Sequence, residues 1–203
     1  MLAPLGKSSD QVYQLVKSSS RWIFQQQLRL REHNDKKLIT YCDGSTLPYL
    51  GRQYPLRIID GENEAPESFS FDRGKFIAKA KCKEPKIIKA LYEKWLENRA
   101  ASVLEKKVNE YSDLLKIDRG KIRISIKSQK NRLGSLGKKL TVNFNKNLLR
   151  LPPKIIDYVV VHELCHTKVP NHSPAYWHIV GLVIPDYKKR KEWLRMNKQI
   201  LVS

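Results

Sequence analysis

Two histidines four positions apart enclose a glutamate in the run Val159-Val160-Val161-His162-Glu163-Leu164-Cys165-His166. On a helix this spacing sets both imidazoles on one face, one turn apart. Two imidazoles so placed can bind one zinc ion, with the adjacent carboxylate as general base toward a metal-activated water. Six residues beyond His166 stands His172, in Pro170-Asn171-His172-Ser173. A loop that folds back after the helix delivers it as a third ligand. Three protein ligands and one open position are what a catalytic zinc site requires. Three fixed letters alone occur by chance, and a buried or capping histidine is ordinary. Here the motif lies inside an apolar run (Ile155, Ile156, Tyr158 and Val159 to Val161), and three of the chain's five histidines fall between positions 162 and 172. Cys165 stands between the two motif histidines and faces elsewhere on the helix, as a small core residue.

The elements around the motif must present it. Pro152-Pro153 starts the motif helix, since proline is tolerated at the first helical position, and the helix ends near Thr167 or Lys168, before Pro170. Ser173 caps a following helix that carries Tyr176, Trp177, Ile179, Val180 and Leu182 up to Pro185, with Tyr176 and Trp177 packing and His178 on the surface. A basic amphipathic helix covers about 186–201. Upstream, Ile122 to Ile126 and Leu140 to Phe144 read as strands around a basic loop, Lys127 to Lys139. The glycines of that loop, Gly134 and Gly137, do not form a phosphate-binding loop. A long helix spans about Pro85 to Lys116, with Ile88, Leu91, Trp95, Leu96, Val103, Leu104, Val108, Tyr111 and Leu115 at helical spacing. Residues 38–83 read as short strands (38–41, 53–59 and 75–80) punctuated by Asp43-Gly44, Leu50-Gly51, Asp60-Gly61 and Arg73-Gly74. Ser9 and Asp10 cap a first helix running to about Glu32. The fold class is therefore α+β: small, mostly antiparallel sheet regions, a long helix, the motif helix and C-terminal helices. The division is 1–83, a helix with a small sheet, and 84–203, the domain bearing the motif.

At 203 residues the chain can bury a core without disulfide staples. Its three cysteines, Cys42, Cys82 and Cys165, form no C-x-x-C pair and suit a reducing cytoplasm. No leader is recognisable at the N-terminus, and no apolar run reaches the length of a membrane span. The formal charge is +19, from 39 Lys and Arg against 20 Asp and Glu. This balance favours acidic partners, including nucleotides or nucleic acid, although the basic residues are spread along the chain.

The run Tyr158 to His166, then Asn171-His172-Ser173 and Tyr176-Trp177, resembles the YgjP-like zinc metallopeptidases, relatives of the SprT-like and WLM-type metalloproteases. Pro185-Asp186-Tyr187-Lys188-Lys189-Arg190 with Trp193-Leu194, and Tyr49 to Tyr54 with Leu56, resemble further family segments. The resemblance implies a zincin-like catalytic domain over 84–203, a zinc ion held by His162, His166 and His172, and Glu163 as catalytic carboxylate. It also implies that relatives already have a few N-terminal strands by the point that matches Met1 to Lys7, as a short variant or a misplaced start would give. Two segments depart from the family: Leu133-Gly134-Ser135-Leu136 stands for Trp-Gly-Ser-Cys, and Asn145-Lys146-Asn147 for Asn-Trp-Arg. Both lie beside the expected cleft and bear on substrate preference more than on the metal.

The expected activity is peptide hydrolysis. The strand at 140–144 is expected to hold an extended peptide by strand addition. Two other readings use the same residues. One is a metal-dependent pyrophosphatase acting on a nucleoside triphosphate such as UTP, an activity associated with the resembled family. The other is a basic nucleic-acid-binding protein with a structural zinc.

Overall fold

The computed structural model describes residues 39–61, 66–129 and 132–197. The helix expected over 9–32 lies outside them. The first sheet of the described residues is built by hairpins with matched turns. Strand β1 (Thr46–Tyr49) turns back into β2 (Arg52–Asp60), with Tyr49 opposite Arg52. The two turn residues, Leu50 and Gly51, have φ of 48° and 79°, the left-handed pair of a type I′ hairpin. Strands β3 (Ser68–Asp72) and β4 (Lys75–Ala80) close over Arg73 (φ 43°) and Gly74 (φ 78°) in the same way. The order is β1-β2-β4-β3, with β2 and β4 parallel. The segment expected as a strand at 38–41 is not one where it is described. Tyr41 takes φ 54° so that its ring can bury beside Tyr92, and the Asp43 carboxylate accepts from the Ile58 N–H. The first strand begins instead at Thr46.

The long helix α1 spans Pro85–Leu114. Its fully buried residues are Ile88, Tyr92, Leu96, Ala100, Leu104, Val108 and Ser112, every fourth position. A four-residue step overshoots the 3.6-residue turn by about 40°, so this line winds around the helix instead of holding one face. The winding matches two sets of neighbours. In the first half, Tyr92 donates to the Pro48 carbonyl, and Trp95 packs edge-on against Tyr49 and Phe76 of the small sheet. In the second half, Lys107 pairs with Asp157 of the motif helix. One helix thus ties the sheet to the motif.

A second sheet contains β5 (Arg123–Lys127), β6 (Gly134–Leu136) and β7 (Thr141–Asn145) in the order β5-β7-β6. Strand β7 runs parallel to β5 and antiparallel to β6, so both its edges are taken. This corrects the expectation that 140–144 is free to add a peptide strand. The outer strands are β5 and β6, and β6 lies inside the segment expected as a loop. It has only three residues, one of them glycine, and exists because the β7 ladder pairs it. Three of the five strand pairings among the described residues are antiparallel.

Helix α2 (Pro153–Cys165) is apolar nearly all round, with Ile155, Ile156, Tyr158 to Val161, Leu164 and Cys165 buried. Such a helix is stable only with packing on most sides, which α1, β6, α3 (Pro174–Val183) and α4 (Tyr187–Met196) supply. The hairpin tip also docks nearby: Leu50 and Gly51 N–H groups donate to the carbonyls of Leu149 and Arg150, at 2.7 and 3.2 Å. A Cβ on Gly51 would come within 2.8 Å of Pro152, the residue before α2. No helix of the described residues is long and apolar enough to cross a membrane.

Candidate metal centre

His162 lies on the last turn of α2, and His166 is its C-cap in helical conformation. The chain then turns through Thr167 to Val169, whose N–H groups return to Leu164 and Cys165 carbonyls. Ser173 caps α3 by accepting from the Tyr176 N–H. This short return brings His172 back over the helix. The ligand atoms of His162, His166 and His172 all lie within 4.8 Å of one another, and the three residues could hold a metal ion. The Nε2 atoms of His162 and His172 are 3.2 Å apart. Two nitrogens bound to one tetrahedral zinc at ordinary bond lengths are about 3.3 Å apart, so the spacing fits.

The proton states suit the same role. His166 Nδ1 lies 3.3 Å from the Val169 carbonyl, to which it can only donate. That contact leaves Nε2 as the lone-pair donor. Burial, then the neighbouring His166 and His172 and the Lys191 ammonium, push the His162 imidazole down to about 3. Burial, with His166 and Lys191, also lowers His172. Neutral imidazoles are what a cation needs. The donor set therefore fits a borderline divalent ion such as zinc.

Aromatic rings hold the three histidines in place. Tyr176, fully buried, donates from its hydroxyl to the His162 carbonyl at 2.9 Å and stacks on His166 at 4.6 Å. Trp177 stacks on His172 at 5.5 Å and on Tyr187 at 5.2 Å, with the Lys191 ammonium 4.3 Å from its ring centre. His178 is exposed. Cys165 is fully buried, and burial raises its thiol to about 12, so it stands apart from the cluster.

Glu163, itself buried, lines a cleft of about 680 Å³ together with His162. Burial raises its carboxyl to about 7, opposed by the Arg132 guanidinium and a hydrogen bond from the Leu136 backbone. Strand β6 thus runs directly past the carboxylate. At Gly134 the approach is so close that a Cβ would meet Glu163 Oε1 at 2.7 Å. Asn145, fully buried, secures the start of that strand: its amide donates to the Gln129 and Arg132 carbonyls, and its backbone N–H to the Leu133 carbonyl.

The structure brings His162, His166 and His172 together and sets Glu163 in the cleft that His162 also lines. The sequence did not reveal Gly134 as the residue that lets β6 pass Glu163, since a glycine in a basic stretch looks like a loop. It also did not reveal that α4 forms a cleft wall. There the spacing held a signal: Tyr187, Lys188, Lys191, Leu194 and Arg195 recur at helical intervals and all line the cleft. Of the four departures from the resembled family, Leu133 lines the cleft and Leu136 bonds Glu163 through its backbone. Lys146 is ion-paired to Glu93 of α1 at 3.2 Å, and Asn147 donates its backbone N–H to Asn145 Oδ1.

A family model described as YgjP-like, metallopeptidase domain, matches residues 1–197. Among solved structures, the metallopeptidase zymogen abylysin of Pyrococcus abyssi is similar at 23% identity and a TM-score of 0.43, over 47% of this chain and 95% of that one. The metallopeptidase zymogen jannalysin of Methanocaldococcus jannaschii is similar at 24% identity and a TM-score of 0.41, over 45% and 92%. No curated protein matches the chain.

Proposed function

The chain belongs to the YgjP-like metallopeptidase family, and on that premise we propose that it is a zinc-dependent peptidase with Glu163 as its general base. The observation that carries the reading is the convergence of three imidazoles within 4.8 Å beside a cleft floored by a buried carboxylate. His162, His166 and His172 would hold the ion. When bound, zinc supplies a Lewis acid and lowers the proton affinity of water.

The chain's own residues do the rest. Glu163, adjacent to the ligands, takes the proton of the attacking water and passes it to the leaving amine. Its raised proton affinity in the metal-free chain suits a group that must both accept and return a proton near neutrality. Strand β6 has one edge on β7 and leaves the other for an extended peptide, whose backbone then lies along α2 past Glu163. Tyr176 and Trp177 stack on His166 and His172 and keep them oriented.

Glu163→Gln tests the assignment. The variant should hold as much zinc as the parent and lose at least about 100-fold in peptide hydrolysis, the scale of a positioned general base. Full activity in the variant would overturn the role of Glu163.

A further inference from the structure

The cleft above the metal centre has an uneven charge. Four cationic side chains line it, Arg132, Lys188, Lys191 and Arg195, against two carboxylates, Glu163 and Glu192. Glu192 is occupied by Arg195, whose guanidinium donates to it at 2.6 and 2.8 Å. Glu163 is the proposed base and lies at the floor. No salt bridge among the described residues engages Arg132, Lys188 or Lys191. These three line the cleft from two different segments and are exposed. Arg132 leads into β6, where the peptide backbone would run, whereas Lys188 and Lys191 stand one turn apart on α4. Lys191 is fixed over the Trp177 ring at 4.3 Å, within electrostatic reach of His162 and His172. The walls between the cations are apolar, with Leu133, Tyr158, Trp177, Tyr187 and Leu194.

We propose that this cleft selects peptides carrying aspartate or glutamate beside the scissile bond, with Arg132, Lys188 and Lys191 as specificity-determining residues. The inference rests on the peptidase reading. A cleft lined mainly by one sign of charge draws a carboxylate toward it, and because these cations are exposed the attraction is screened by salt. A basic side chain would meet like charge from both segments, so the same residues reject as well as attract. The apolar walls accommodate the aliphatic stem of an acidic residue and the flanking peptide, and leave its carboxylate to the cations.

The test uses quenched fluorescent peptides identical except at the two positions flanking the scissile bond, bearing Glu, Gln or Lys. With the zinc-loaded full chain, kcat/KM for the Glu peptide should exceed that for the Lys peptide by about tenfold or more. The advantage of Glu over Gln should shrink as salt is raised from 50 to 500 mM, about a threefold fall in Debye length. Lys188 is exposed, so Lys188→Glu should fold, and it should lower the Glu-to-Lys ratio by about fivefold or more. Because the ratio is taken within one protein, a change in the active fraction cancels. A Glu-to-Lys ratio near one in the parent, or a ratio unmoved by Lys188→Glu and by salt, would overturn the inference and leave the peptidase reading standing. Failure to cleave any of the peptides, with pyrophosphate released from a nucleoside triphosphate instead, would overturn both.

Discussion

At the scale of single residues, the centre is held in a state that costs the empty protein stability. Glu163 is buried, and its carboxyl is raised from 4.5 to about 7. The folded state therefore holds a proton that the unfolded chain has released between these values. Stability is unaffected by this group below pH 4.5, falls as pH rises toward 7, and carries the full penalty above it. Glu163→Gln removes the charge. In metal-free protein at pH 8 it should raise stability by roughly 1–3 kcal/mol, and the gain should vanish near pH 4.5. Denaturant midpoints of the parent and variant at both pH values would show this; equal differences at the two would contradict it. Such a cost is what the proposed general-base role of Glu163 would entail. The three convergent histidines were legible at this scale because their pattern lies in residue type and short spacing. Gly134 was not, because its role is an absent side chain, and only the approach of β6 to Glu163 gives that absence meaning.

At the scale of elements, two short pieces aim the site. One is β6. A Cβ at Gly134 would contact Glu163 Oε1 and Cγ at 2.7 Å, so Gly134→Ala must displace the carboxylate or the strand. Peptide hydrolysis should fall by about 10- to 100-fold, the cost of misplacing a catalytic group by a fraction of an ångström to an ångström. Zinc content should be unchanged, since no ligand lies on β6. Parental activity in Gly134→Ala would show that the close approach is unimportant. The other piece is the start of α3, which supplies Trp177 to the stack between His172 and Tyr187. Trp177→Ala should weaken zinc binding by about 10- to 100-fold, as loss of a ligand's supporting contact does, and Trp177→Phe should recover most of it. Equal affinity in all three proteins, by competition with a chelator, would make the stack incidental.

The elements themselves were unevenly readable. Helices α1 and α2 follow from long apolar patterns and from Pro85 and Pro153 in their first turns. The Leu50-Gly51 and Arg73-Gly74 turns follow from glycine at positions that need positive φ. The missed strands β1, β3 and β6 have four, five and three residues. Their pairing is decided by partners elsewhere in the chain, so local pattern carries little of it. The same holds for β7, whose free edge was expected and whose two neighbours only the ladder reveals.

At the scale of the whole molecule, one core connects the small sheet to the metal centre. It runs from Leu47, Tyr49 and Phe76 through Tyr92, Leu96 and Leu104 of α1 to Val160, Leu164 and Tyr176. The long helix makes this possible because its buried line winds from one neighbour to the other. The α+β class was therefore legible in the sequence, whereas the route of the core depended on four-residue spacing that includes Ala100 and Ser112. The account's central claim is that this core presents three histidines as one metal site. Elemental analysis of the purified full chain, parent and His172→Ala, after zinc loading and removal of excess, tests it most directly. The parent should carry one zinc per chain and the variant should lose it. A parent without zinc, or a His172→Ala variant that retains it as tightly as the parent, would contradict the three-histidine centre.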